Sequence, residues 1–175
     1  MGKIKPRLPI KLIAGFIYSD ERRVQDAQKH LRKRFGKIDF QSPILSFSHT
    51  NYYEAELDRV LRRKFISFAH LIPAQSLPAI KIFTNRLEQK FCARGKRTIN
   101  IDPGYLDLAK LVLATTKDYK HRIYLDQGIF AEATLIFQNK TFQPWVWTYP
   151  DYKTKEYIDI FNKIREAYAF QIKNI

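Results

Sequence analysis

Residues 97–122 read RTINIDPGYLDLAKLVLATTKDYKHR, and the fold turns on this stretch because the hydrophobic period changes here from helical to two. Ile99 and Ile101 point to one side of an extended chain, while Thr98, Asn100 and Asp102 point to the other. Pro103-Gly104 reads as a turn. Residues 110–116, 121–125 and 129–138 follow as further extended runs, broken at residues 117–120 and at Asp126-Gln127-Gly128. The pattern predicts an antiparallel meander whose last two runs form a hairpin.

Upstream, residues 11–18 form a continuous apolar run, as in a strand buried on both faces, and Ser19-Asp20-Glu21 supplies a helix start. Val24, Ala27, Leu31 and Phe35 recur at helical spacing, with Gly36 placed to end that helix. Residues 38–47 read as a second strand, bent or at an edge because Ser42-Pro43 interrupts it. Asn51 and Glu54 look like a capping pair, and the helix they predict places Tyr53, Leu57, Val60, Leu61 and Phe68 on one side. A third helix begins near residues 76–78, buries Ile80, Phe83, Leu87 and Phe91, and ends before Gly95. Downstream, Asn139-Lys140 marks a turn before a strand over 142–147, and Thr154 caps a helix that buries Tyr157, Ile160, Phe161, Ile164 and Tyr168.

These elements predict a single α+β domain over residues 1–175. It has an N-terminal strand-helix-strand, a central meander in a largely antiparallel sheet, helices packed on the sheet and a C-terminal helix. A chain of 175 residues with 45% hydrophobic content buries roughly 70% of its unfolded surface on folding.

The formal charge of +14 is unevenly spread. Residues 1–40 hold 11 Lys or Arg against 4 Asp or Glu, residues 41–100 hold 10 against 4, and residues 101–175 hold 10 against 9. The positive field belongs to the first hundred residues, where it either attracts phosphate groups at long range or forms a solvated basic surface. The outer face of the first helix, with Arg22, Arg23, Lys29, Arg32, Lys33 and Arg34, has the same two readings.

Cys92 is the only cysteine, which excludes an intrachain disulfide and a cysteine zinc site; it reads as a buried filler. The apolar run LIAGFIY is too short to span a membrane, and a cytoplasmic location is expected. The chain has no G-x-x-x-x-G-K-[ST], G-x-G-x-x-G, H-E-x-x-H or G-x-S-x-G motif, and its histidines are too scattered to argue for a metal. No cofactor is nominated.

The polar cluster supplies the candidates. Asn100 and Asp102 project from one strand face about 7 Å apart, able to hold a metal, a ribose or an amine, unless Asp102 only bonds its own turn. Thr115, Thr116, Lys117 and Arg122, with Tyr124, are suited to an anion pocket of converging charge-assisted donors, or they decorate a solvated hairpin tip. His121 and Asp102 are the candidates for proton transfer. Glu132 and Thr134 share a strand face, and a Glu in an apolar strand needs a partner, for which Arg122 or Lys117 is at hand. Tyr149, Asp151 and Tyr152 line a ligand pocket or dock the last helix, and Trp145 and Trp147 read as a hydrophobic plug. If residues 105–116 were one strand, Asp102 and Thr115 would lie roughly 40 Å apart; if the chain folds back over residues 105–109, they meet.

The strings NIDPGYL, KLVLATTKDYKHRIYL, GIFAEATL and WTYPDY, together with NYYEAEL, resemble an uncharacterised prokaryotic family defined as a domain of unknown function, and the resemblance spans nearly the whole chain. Some members carry the label "GTP-binding protein"; the resemblance implies nucleotide affinity and no particular catalytic residue. Neither a phosphate loop nor N-K-x-D is present, since Asn139-Lys140 continues as Thr141-Phe142. The first reading is binding of a nucleotide or RNA phosphate group through the polar pocket and the basic N-terminal region; the alternatives are an enzyme acting on a phosphorylated or anionic small molecule and a non-catalytic structural or interaction protein.

Overall fold

The continuous apolar run becomes β1, Ile10–Tyr18, in which every residue is buried. It lies near the middle of a sheet with strand order β2-β4-β1-β5-β6-β8-β7, to which β3 adds on β4 and β9 on β8. The other strands are β2 (Ile38–Gln41), β3 (Leu45–Phe47), β4 (Leu61–Ile72), β5 (Ile99–Leu106), β6 (Lys110–Thr115), β7 (Arg122–Asp126), β8 (Ile129–Gln138) and β9 (Thr141–Pro144). All of their pairings are antiparallel. The computed structural model describes residues 2–3, 6–47, 60–93 and 95–173.

Among the described residues, three α-helices cover the sheet: α1 (Glu21–Phe35), α2 (Leu77–Lys90) and α3 (Lys155–Ile172). Alternation along β1 divides the core. Ile10, Leu12, Ala14, Phe16 and Tyr18 pack with Val24, Ala27 and Leu31 of α1 and Ile80 and Leu87 of α2. Ile13 faces the other way, into a cluster with Phe65, Leu113, Leu135 and the Tyr157, Ile160, Phe161, Ile164 and Tyr168 stripe of α3. The architecture is thus α+β with helices on both faces, and the caps are those the sequence calls for. Asp20 accepts the Arg22 N–H at 2.9 Å, Thr154 accepts from Tyr157, and Gly36 ends α1 at φ 89°.

Several expectations fail, each for a local reason. Residues 61–72 form strand β4, so the helix predicted through Leu61 and Phe68 is absent there. Its 61–72 segment alternates buried and exposed residues at the start and then buries a run on both faces, a pattern that periodicity alone confuses with a helix. The supposed capping pair Asn51 and Glu54 lies outside the described residues. β8 inserts between β6 and β7, which breaks the simple meander and leaves β7 on an edge, with Ile123 and Tyr124 exposed. The last strand stops at Pro144, short of Trp147. Cys92 is exposed rather than a core filler.

The largest correction concerns Pro103-Gly104, which is not a turn: β5 runs straight through it. The reversal comes later, where Asp107 accepts the N–H groups of Ala109 and Lys110, each at 2.8 Å. β6 then returns beside β5 but pairs with it only over Gly104–Leu106, with Gly104 opposite Leu113. A side chain at Gly104 would put its Cβ 2.4 Å from the Val112 carbonyl oxygen. Glycine is therefore required by close strand approach, not by a turn. Gly104→Ala is expected to destabilise by about 3 kcal/mol through the forced strand separation, read as a lowered denaturant midpoint, whereas Gly2→Ala, with nothing within 4 Å, should leave the midpoint unchanged.

Candidate functional site

β5 and β6 diverge beyond Gly104, so Ile99–Pro103 pairs with β1 on one edge while, among the described residues, its other edge has no strand beside it. The N–H of Ile101 donates to Glu88 Oε1 at 2.6 Å, and its carbonyl accepts from Lys81 Nζ at 3.2 Å. Both partners come from α2, which thus takes the place of the missing strand. Backbone groups two residues apart face the same way, so Pro103, which has no N–H, also turns its ring to this open side and breaks no ladder bond.

The divergence opens a cleft of about 640 Å³. One bank is β6 and the loop after it, with Thr115, Thr116 and Lys117. The opposite bank is β5 and α2, with Asn100, Asp102, Asn85, Glu88 and Gln89, joined by Arg97. Arg63 and the segment from Tyr149 to Tyr152 close one end, and Arg122 and Glu132 also line the space.

Arg63 is only 1% exposed and its position depends on Gly15. Ile17 and Gly15 of β1 stand opposite Arg63 and Phe65 on one side and Asn100 and Asp102 on the other. A Cβ on Gly15 would meet the guanidinium and the Phe65 ring at 3.0 Å, so the bare backbone lets Arg63 reach across β1. It donates to Asp102 at 3.1 Å and to the Tyr152 hydroxyl at 2.5 Å, and it lies 4.7 Å from the centre of the Phe65 ring. Burial opposes its charge, but the surrounding Tyr152, Asp102 and Asp151 oxygens hold its pKa above the usual arginine value.

Arg122 organises the other wall. It donates to Glu132 at 2.9 Å, to the Lys117 carbonyl at 3.0 Å and to the Tyr149 hydroxyl at 2.6 Å, with its side chain 3% exposed. These bonds fix the loop that carries Lys117, so Arg122 is a post for the site and its donors are already in use. The expected partnership of Glu132 with Arg122 is present; the carboxylate also meets His121 Nε2 at 3.1 Å and the Thr134 hydroxyl at 3.3 Å.

Among the sequence candidates, Asn100, Asp102, Thr115, Thr116, Lys117, Arg122, Glu132, Tyr149, Asp151 and Tyr152 line the cleft, whereas His121, Tyr124 and Thr134 do not. Thr134 is buried behind Glu132 and accepts from Thr148 through its carbonyl. Tyr124 lies exposed on edge strand β7 against Phe130. His121 stacks between Tyr119, at 6.1 Å, and Trp147, at 5.4 Å, and Trp147 stacks on Trp145 at 5.0 Å. The two tryptophans therefore belong to a half-buried surface stack rather than a core plug. Asp102, freed of its turn, faces Arg63.

Sequence reasoning missed Arg63, hidden in the strand read as a helix, and the whole contribution of α2. A signal for α2 existed: Lys81, Asn85, Glu88 and Gln89 recur at i, i+4, i+7 and i+8, one polar stripe on a helix that also buries an apolar face. Burial raises the carboxyl pKa of Glu88 despite Lys81, the Ile101 N–H and Arg97, and raises that of Asp151 despite Arg63. Among the described residues, no three His, Cys, Asp or Glu side chains are grouped to hold a metal ion, and no helix is long and apolar enough to cross a membrane.

The architecture is thus an α+β protein with a ligand-sized cleft at a split between neighbouring antiparallel strands. The chain belongs to the family described as Domain of unknown function (DUF4416), which residues 8–168 match. No curated protein and no solved structure matches it significantly.

Two predictions test these networks. Glu132→Ala strands the buried Arg122 charge and should cost about 3–5 kcal/mol, whereas the apolar double variant Glu132→Leu with Arg122→Met should recover most of that loss in thermal melts. For Glu88, whose folded pKa is raised, the folded chain retains a proton that the unfolded chain releases, so its contribution falls as pH rises from the ordinary 4.5 through the raised value. Glu88→Gln is expected to gain on the wild type in urea midpoint as pH rises through that window; a difference independent of pH would contradict this account.

Proposed function

We propose that the cleft between β5 and β6 binds a small phosphorylated molecule, in the first place a nucleotide. The observation that carries this reading is the composition of the cleft at its size. Its basic members are Arg63, Lys81, Arg97, Lys117 and Arg122, its acidic members Glu88, Asp102, Glu132 and Asp151. Five basic side chains against four carboxyls leave the lining formally positive, and burial raises the carboxyl pKa of Glu88 and Asp151 while the arginines stay charged. The bank opposite α2 adds the hydroxyls of Thr115 and Thr116 and the Lys117 ammonium on an exposed loop. That loop is the part of the cleft where an anion keeps partial hydration while gaining charge-assisted donors.

A volume of about 640 Å³ is that of a small-molecule pocket, which favours a mononucleotide over an RNA helix. The basic outer face of α1 supports RNA less well, because Arg22 pairs with Asp20 and Lys29 with Asp26 in the manner of a solvated face.

A second reading, an enzyme acting on a phosphorylated or anionic small molecule, is favoured by the two carboxyls with raised pKa. Asp151 lies 7% exposed in the cleft beside Arg63 and Asp102, in the kind of environment that prepares a carboxyl for proton transfer. In this reading Asp151 and Asp102 are better placed than His121, which stands outside the cleft.

Thermal-shift screening with nucleoside mono-, di- and triphosphates, sugar phosphates and a short RNA tests the proposal. A ligand at 100 times its Kd should add about 2.7 kcal/mol of stability, and Lys117→Ala should weaken the effective compound roughly tenfold. If no phosphorylated compound stabilises the wild type, or if Lys117→Ala responds as the wild type does, the reading fails. Turnover of the stabilising compound selects the enzyme, and its loss in Asp151→Asn assigns the proton-transfer role.

A further inference from the structure

The α2 bank of the cleft is built differently from the loop bank. Lys81 is spent on the Ile101 carbonyl, and Arg97 donates to Glu88 at 3.4 Å and to the Asn100 side-chain oxygen at 3.2 Å. Guanidinium groups can only donate, so the contact with Arg97 fixes the orientation of the Asn100 amide: its oxygen faces Arg97 and its Nδ2 faces away. Asn100 is only 5% exposed, yet Nδ2 has no hydrogen-bond partner among the described residues. A buried amide nitrogen left unpaired is costly and calls for an explanation, and at the wall of a cleft an acceptor arriving from outside the chain supplies one.

We propose that Asn100 reads an uncharged hydrogen-bond acceptor, a carbonyl oxygen or ring nitrogen of a nucleobase, on the moiety that the phosphate group of the ligand carries. This rests on the phosphate-binding reading of the same cleft and adds to it the recognition of the organic part. Three features make the acceptor uncharged rather than a second anion. Glu88 stands in the same bank and repels anions whenever it is ionised. The cations beside it are already engaged. A neutral amide donor gains little from a charged group that would have to lose its water first. Asn85 and Gln89, one and two helical turns along the same stripe from Lys81, offer amides of both polarities to the edge of a planar heterocycle. Across the split, continuation of the β5–β6 register would set Asn100 opposite Lys117, so one ligand can engage both banks.

The test measures binding of the four nucleoside 5′-monophosphates and of ribose 5-phosphate by calorimetry, on the wild type, Asn100→Leu and Asn100→Asp. Leu removes the amide at nearly constant volume; Asp keeps the acceptor for Arg97 but puts an anionic oxygen in place of the donor, so its effect is read from the ratio of nucleotide to ribose 5-phosphate affinity, in which the added charge cancels. At least one nucleotide should bind the wild type more tightly than ribose 5-phosphate, and both variants should lose that advantage by roughly tenfold or more. Ribose 5-phosphate should bind Asn100→Leu as it binds the wild type, which also shows that the variant is folded. Equal affinity of the wild type for nucleotides and ribose 5-phosphate, or a nucleotide advantage that survives in both variants, overturns the role of Asn100 and leaves phosphate binding standing. Failure of the wild type to bind any of these compounds overturns both.

Discussion

The hydrogen bonds that α2 makes to the backbone of Ile101 are the constraint on which the site depends. A sheet with two neighbouring strands pulled apart exposes N–H and C=O groups along the break, and unpaired buried peptide groups are too costly to leave. Glu88 and Lys81 meet that requirement with one acceptor and one donor from a single helix face, separated by two turns. Because the replacements are side chains rather than a strand, they leave space between themselves and β6, and that space is the cleft. The same bonds explain how a carboxylate and an ammonium come to be nearly buried in a small protein. Each is anchored by the peptide, and their charges partly offset one another.

On the far side of β1, Arg63 plays the corresponding part through a different device. Phe65, Tyr152 and Phe161 pack around one another with ring centres 5.0 to 5.9 Å apart, and the guanidinium sits against the aromatic faces while its polar edge reaches Asp102 and Tyr152. This packing ties the docking of α3 to the charge at one end of the cleft, since Phe161 comes from α3. Burying such a group is weak evidence for stability in itself. Its effect here is positional: Asp102 is held by an arginine that cannot lose its proton, and Arg63 can cross β1 only because residue 15 has no side chain.

Much of this was legible in the residues, and the parts that were not share a cause. The strand β1, apolar but for Lys11, the helix of Val24, Ala27 and Leu31, the Thr154 cap and the Asp126-Gln127-Gly128 turn are local patterns, and local patterns survive folding. Glu132 was legible as well, since a lone carboxylate in an apolar strand demands a cation and Arg122 is near in sequence. Pro103-Gly104 misled because the dipeptide is common in turns, whereas here each residue answers a tertiary demand: proline faces an edge without a strand, and glycine lies under the Val112 carbonyl. Arg63 was hidden by β4, in which burial on both faces erases the alternation that distinguishes a strand. Which strand stands next to β6 is a matter of topology, and no spacing within residues 110–138 reveals that β8 rather than β7 takes that place.

The charge of the chain and the charge of the cleft then act at different ranges. The excess of Lys and Arg lies in the first hundred residues, and much of it is displayed on α1, which packs on the same face of the sheet as α2. Exposed charges of that kind act over about a Debye length, roughly 8 Å in physiological salt, so they concentrate anions near the surface without choosing among them. Choice requires partners that are fixed before the ligand arrives. On the proposed reading those are the amide of Asn100, whose direction Arg97 sets, and the loop of Thr115, Thr116 and Lys117, which Arg122 holds by the Lys117 carbonyl. Salt would therefore weaken capture through the first effect far more than discrimination through the second, because hydrogen bonds inside a cleft are screened less than charges on an open helix.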